Sequence, residues 1–535
     1  MKIKIAGESW RKYYLFDMIR RLGILAQVTD DESADMILVS ENVKDLEVDR
    51  ILDFARNGKI VVFLQPESRV LKYFGDELMY THHFPLMKLD CDGILASFLQ
   101  VFPPVCLIKQ KQGENYGAFA FDFSRSGENY TTKYPAITLR NFGSGKICLF
   151  LYDFISTMLL LLQGWEFFTS EGGLAHQSRL ATSRARHLSD HLINKELYLI
   201  PQAYFHELLL LYLLRRMARP KDPLPRIWYY PSSYTAAFLL NGDSDNLEKK
   251  YLEKAWNMLL KKGLKYTQYI MTQDIEKFSS DEISCWSKKG IDFGLHYFAG
   301  ISPSEGEMLD HITEARKVFE EKGQKIISCR GHSCIWVGWD GQIKIMEKSK
   351  ILYSSNLLYW HPGVSYGFPY NLYKKSGRSS VQELQIFCSD DVMLFNKSGM
   401  LPLKPVQYMK NIIAWLDINN DLYYQPVNPI FHPFYLVKQP STSEILSESV
   451  EFAKSKDIIV TNHKKFFQWW EKRKRVKLTY KVVDDSIQFD RKELDPEIAI
   501  AVPEQWKVNV FPERKMLKGT CEKLFYEKRS NGYEE

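Results

Sequence analysis

The chain has 535 residues, 45% hydrophobic and 25% charged, the balance of a folded globular protein rather than a disordered one. That length exceeds one ordinary core, so about three units are expected. A formal net charge of +6 is too weak over this length to imply a nucleic-acid partner.

Residues 1–165 alternate short apolar runs with helical periodicity. Lys2–Ala6, Ala34–Ser40 and Gly58–Leu64 read as strands, with Tyr13–Leu22 and Leu46–Asn57 as helices between them. A later strand, Lys146–Tyr152, follows the turn Gly143-Ser-Gly145. This order predicts an α/β domain on a parallel sheet, amidotransferase- or flavodoxin-like. The turn after Val61–Leu64 reads Gln65-Pro66-Glu67, without the thiol an amidotransferase needs, so the domain reads as non-catalytic. Ile147 to Leu162 is the most apolar stretch; it contains Asp153 and falls short of a membrane span.

Residues 166–225 read as a helical linker. Its strongest helix is Ala203–Arg216, and Pro220, Pro223 and Pro225 close it. His187 and His191 lie four apart without the Glu of a His-Glu-x-x-His zinc helix, and read as a solvated face. From 226 to 440 the βα pattern returns. Helices Leu247–Lys262, Asp281–Lys289 and Glu305–Lys322 alternate with strands Leu264–Ile270, Ile291–Leu295 and Lys325–Cys329. Residues 441–535 read as a small β-rich domain with strands Val476–Val483, Ser486–Asp490 and Ile498–Val502. Lys464, Lys465 and the basic run 472–477 around Trp469-Trp470 read as a helix end with packed tryptophans and solvated lysines. The 8 cysteines show no C-x-x-C pair, and the N-terminus lacks a signal-peptide core. The expectation is a cytoplasmic protein with reduced thiols and no membrane span.

Chemistry is concentrated at four strand-end positions in the 226–440 region. Phe238-Leu-Leu-Asn-Gly-Asp243-Ser-Asp245-Asn246 sets two carboxylates one residue apart after an apolar run. Asp292-Phe-Gly-Leu-His296, Ile326-Ile-Ser-Cys-Arg330-Gly-His332 and Phe431-His432-Pro433 follow. In α/β proteins the loops after strands converge on one face, so an Asp pair and histidines there suit a divalent metal and a base. Taken singly, an Asp pair after a strand is often only turn chemistry, and a lone His is more often core. Trp360, His361 and Tyr366 could line a sugar groove.

In order, these segments resemble the polysaccharide deacetylase family. Leu224-Pro-Arg-Ile-Trp228-Tyr-Tyr-Pro231 is similar to the segment preceding the Asp pair in a bacterial group with an amidotransferase-like domain in front. Arg330-Gly-His332-Ser-Cys334-Ile-Trp336 is similar to that group's Arg-Asn-His-Cys segment. The resemblance implies a distorted (β/α) barrel over 226–440. It implies Asp243 as general base braced by Arg330, Asp245 and His296 as ligands of a divalent metal such as Zn, and His432 as general acid. The family's His-x-x-x-His puts two ligands on one loop, whereas here Gly300 stands four residues after His296. The third ligand then falls to His332. Ser244 also separates carboxylates that are adjacent in the family. The implied activity is metal-dependent removal of an N- or O-acetyl group from a carbohydrate. A degenerate carbohydrate-binding or scaffold protein, and an Asp-x-Asp glycosyltransferase, are the competing readings. Oligomeric state is not legible.

Overall fold

The computed structural model describes residues 1–527 except 42, 84, 90–97, 103, 110–112, 121–130, 165–196, 198, 219–221, 301–302, 360–364, 388–389, 396–402, 491–494 and 512. The chain divides into two compact units. The first is Met1–Leu162, Ile193–Ser232 and Val476–Glu535; the second is Gln163–Leu192 and Ser233–Arg475. Both are mixed α/β. Among the described residues no helix is long and apolar enough to cross a membrane.

The first unit is built on a seven-stranded sheet. Gln27–Val28, Lys2–Ala6, Met36–Val39, Ile60–Phe63 and Gly145–Phe150 run parallel in that spatial order. Ile137–Phe142 and Glu114–Asn115 add an antiparallel edge. Met36–Val39 is buried along its whole length, as a central strand covered on both faces must be. Helix Trp10–Leu22 starts on a Ser9 side-chain cap and stops at Gly23, whose φ of 74° is left-handed. Gln202–Ala218 is a largely buried helix of the same unit.

A second sheet in this unit pairs Arg226–Ile227 with Ile500–Pro503, Glu522–Tyr526 and Glu513–Met516. It encloses a charge cluster. The fully buried Arg226 reaches Glu522 at 2.9 and 2.7 Å, and Arg215 reaches the same carboxylate at 2.6 Å. Burial opposes ionisation of Glu522, but the two guanidiniums outweigh it and hold its pKa at about 2. A depressed carboxylate stabilises the fold above its unfolded pKa and loses that contribution as pH falls toward the folded value. Glu522→Gln strands two buried cations and should cost roughly 3–5 kcal/mol near pH 7. Urea denaturation at pH 7 and at pH 3 checks this. A loss under roughly 1 kcal/mol at pH 7, or one that grows on acidification, would refute it.

The second unit carries another seven-stranded sheet. Asn241–Asp243, Tyr266–Ile270, Ile291–Tyr297, Ser328–Gly331, Tyr353–Ser354 and Gly377–Glu383 are parallel, and Tyr370–Lys374 closes the edge antiparallel. Helices separate the strands. Ser280–Lys289 and Glu305–Glu321 both open with reciprocal capping boxes, Ser279 with Glu282 and Ser304 with Glu307. Ile430 is bridged to Asn241 and to Asp390, which brings the first and late strands of the unit together. That approach needs Gly242, because a Cβ there would run into the Phe431 carbonyl and the Tyr266 hydroxyl. The Tyr266 hydroxyl donates to the same carbonyl at 2.5 Å.

The boundaries at 165, 225 and 440 differ from this division. Ala236–Leu239 is wholly buried and needs a neighbour on its open side. Ile458–Thr461 supplies it in parallel, so Pro440–Lys454 and His463–Arg475 belong with the second unit. The chain returns to the first unit only at Val476. Residues 441–475, grouped from the sequence with the β-rich segment 441–535, hold two helices and one strand. In the second helix Trp470 is buried and stacks on Phe368, with ring centroids 5.5 Å apart.

Candidate active site

Asn241 and Asp243 are two apart on one strand, so their side chains leave the same face. Both are buried, and both meet Arg330, which lies across the sheet. Arg330 Nη1 donates to Asn241 Oδ1 at 2.7 Å and to Asp243 Oδ1 at 3.0 Å. Its Nε and Nη2 donate to the Ser355 carbonyl and hydroxyl, each at 2.9 Å. The guanidinium also sits 4.3 Å from the centroid of the Tyr269 ring. Burial works against the Arg330 charge, but Asp243 and its other neighbours raise its pKa above the ordinary value. The result is a carboxylate pinned through one oxygen.

Past Asp243 the backbone turns sharply. Asp245 and Asn246 have φ of 50° and 60°, a left-handed conformation that must be held by neighbours. The buried Asp274 does so: Ser244 Oγ and the Asn246 amide both donate to its Oδ2, the latter at 3.0 Å. Ser244 Oγ in turn accepts from the Met271 amide at 3.0 Å. The turn aims the Asp245 carboxylate at three imidazoles. Oδ1 lies 3.0 Å from His296 Nε2 and 3.2 Å from His332 Nδ1, and Oδ2 lies 3.4 Å from His432 Nε2.

The donor set fits a divalent metal. His296 Nδ1 is 3.1 Å from the Arg330 carbonyl, which only an Nδ1–H can satisfy. In the neutral ring that tautomer turns the Nε2 lone pair toward Asp245 Oδ1, a pair of donor atoms that suits a cation. One carboxylate and two imidazoles, all within 4.8 Å of one another, are the ligand types and number of a catalytic zinc site. Without a metal, burial raises the pKa of Asp245, but hydrogen bonds to His296, His332 and His432 outweigh it and hold the carboxyl far below the usual range. The hydrogen bond to Asp245 raises His332 above the ordinary imidazole value against the pull of burial.

His432 precedes helix Pro433–Lys438. Its Nδ1 is 2.6 Å from Asp391 Oδ1 and 3.4 Å from Asp390 Oδ1, and its amide donates to Asp391 Oδ2 at 2.8 Å. Burial disfavours the imidazolium, yet Asp391 and Asp390 overcome it and raise the His432 pKa well above the ordinary value. Nε2 is left pointing toward Asp245 Oδ2, the oxygen that His296 and His332 do not contact.

No protein-family model matches the sequence, and no curated protein matches it. Solved structures do. The chain is similar to a Mycobacterium smegmatis protein assigned as a polysaccharide deacetylase, at 18% identity and a TM-score of 0.38, covering 49% of this chain and 98% of that one. It is similar to the PuuE allantoinase at 14% identity and a TM-score of 0.37, covering 47% and 97%. Similarity to Agd3, described as a novel carbohydrate deacetylase, spans 99% of this chain and 97% of that one, at 9% identity and a TM-score of 0.35.

The residues read from the sequence thus fall into two groups. Asp243, Asp245, His296, Arg330, His332 and His432 come together. Trp360 and His361 lie outside the described residues, as do His187 and His191. Tyr366 is 1% exposed and packs edge-on against Phe368 and Tyr370, so it is core and not the wall of an open groove. Gly300 has φ of 107° and open space around it, and offers no ligand. Asp390, Asp391, Asn241 and Asp274 were missed. The signal for the first two was available: adjacent carboxylates just after strand Ile386–Phe387 follow the same strand-end logic as Asp243 and Asp245.

Proposed function

We propose that the chain is a metal-dependent hydrolase that removes an acetyl group from an N- or O-acetylated carbohydrate. In this reading its second unit is a distorted (β/α) barrel of the polysaccharide deacetylase kind. Its first unit is a non-catalytic α/β domain with amidotransferase-like strand order. The observation that carries the proposal is the meeting of Asp245 with His296, His332 and His432 beside an Arg330-braced Asp243.

A divalent ion such as Zn²⁺, held by Asp245, His296 and His332, would acidify a water and polarise the acyl carbonyl. The protein's own groups handle the protons. Arg330, itself held by Asn241, fixes Asp243 through Oδ1, leaving Oδ2 to accept a proton from an attacking water. His432, kept protonated by Asp391, donates to the departing amine or alkoxide. The Asp-x-Asp glycosyltransferase reading needs both carboxylates free for a nucleotide-bound metal; the commitment of Asp243 to Arg330 speaks against it. Gly300, which offers no ligand four residues after His296, favours a degenerate binding protein.

Metal content separates the two. The purified protein should hold about one divalent ion per chain, as expected of a mononuclear site. His296→Ala/His332→Ala should lose it. The wild type should release acetate from acetylated oligosaccharides and the double variant should not. A wild type that takes up no metal when Zn²⁺ is supplied would overturn the hydrolase and leave the binding protein.

A further inference from the structure

The two histidines of the candidate centre come from different strands, and something must fix one strand end against the other. His296 lies opposite Arg330 in the parallel pairing, and Tyr297 lies opposite Gly331, so His332 begins just beyond the paired residues. The three residues that follow the strand, His332–Cys334, form a tight turn with left-handed φ of 54° at both Ser333 and Cys334. Non-glycine residues keep that conformation only when their surroundings impose it. A side chain on a third strand's exit anchors the residue that leads into this turn. Asn356 Oδ1 accepts from the Gly331 amide at 2.5 Å and from the Tyr297 hydroxyl at 3.2 Å. The same hydroxyl lies 3.3 Å from the Ile335 carbonyl, on the far side of the turn.

Asn356 is itself held. It is fully buried, its Nδ2 donates to Ser354 Oγ at 2.8 Å, and its amide donates to Glu383 Oε1 at 2.7 Å. The Leu357 amide donates to the same Glu383 oxygen, also at 2.7 Å. Gly331 must be glycine for the turn to approach, since a Cβ would meet the Tyr297 ring and the Ile335 carbonyl. We infer that Asn356 is a positioning residue that holds His332 in register with His296, doing between two strands what a single His-x-x-x-His loop does within one. This rests on the metal reading above.

The test is a double-mutant cycle on metal affinity, read by Co²⁺ titration against a chelating dye. Asn356→Ala should weaken Co²⁺ roughly 10–100-fold, the usual effect of removing an outer hydrogen bond at a metal site. It should also change the visible spectrum of the bound Co²⁺. In a His332→Ala background the same substitution should have little further effect, because the two act through one ligand. General loosening of the fold would weaken both backgrounds equally, and that result overturns the assignment. Should Asn356→Ala fail to fold, Tyr297→Phe decides: it removes one hydroxyl from the same clamp and should weaken Co²⁺ several-fold in the wild-type background only. An unchanged affinity and spectrum in it would refute the role. A wild type that binds no Co²⁺ would remove both this inference and the metal reading. Tight wild-type binding with unaffected variants would remove this inference alone.

Discussion

Asp245→Asn is expected to strip the site of its metal and of turnover. Removing a ligand should weaken binding by more than the roughly 10–100-fold that an outer hydrogen bond costs. The substitution keeps the shape and the turn held by Asp274, so the protein should still fold. What it removes is the anion that faces three imidazoles. The metal-free protein gives a second, independent readout. His332 is raised above the ordinary imidazole value by Asp245, and His432 is raised well above it, where Asp391 and Asp390 outweigh burial and Asp245 adds to them. A raised imidazole pKa stabilises the fold fully below the unfolded value of roughly 6.5 and loses that contribution as pH rises through the folded value. The metal-free variant should therefore be most destabilised at roughly pH 5.5 and approach the wild type as pH rises. Denaturation in the presence of a chelator at several pH values measures it. Metal retained at wild-type affinity, or a deficit that does not vary with pH, would remove Asp245 from the centre.

Much of the fold around this site is written locally. The Ser279/Glu282 and Ser304/Glu307 pairs and the glycines at 263, 290 and 323 mark helix ends, and each helix begins or stops within a residue or two of the sequence reading. Strand Ile291–Tyr297 runs two residues longer than its apolar run suggests, because His296 is part of the strand. Its ring is buried and bonded across to Arg330, so the sheet tolerates a polar residue that periodicity takes as an end. What local pattern cannot carry is partnership across the fold. Asp391 meets His432 41 residues away through a strand bridge at Ile430, and Asn356 meets Gly331 25 residues away. Nothing near Asn356 in the sequence distinguishes it from an ordinary polar loop residue. The same limit explains the domain boundary, since the partner of Ala236–Leu239 lies at Ile458–Thr461.

His432 and Asp391 should separate proton delivery from metal binding. His432→Ala should keep the metal, because His432 is not among the three proposed ligands, and lose turnover by about 10²–10⁴-fold, the usual worth of a positioned acid. The sharper experiment is Asp391→Asn. A general acid works only while protonated, so a raised His432 pKa carries activity above the ordinary imidazole range and lets it fall as pH rises through the raised value. Asp391 is the largest of the influences that oppose burial there. With its charge gone, burial is opposed less strongly and the His432 pKa drops, so the alkaline limb of kcat/KM should move to lower pH. The variant should lose more activity at pH 8.5 than at roughly pH 6. The bond from the His432 amide to Asp391 Oδ2 is lost as well, so metal content and melting temperature should be checked alongside. An equal loss at every pH, with the alkaline limb in place, would mean that Asp391 orients His432 without setting its charge. A limb that stays put in a fully active variant would take His432 out of the proton-donor role altogether.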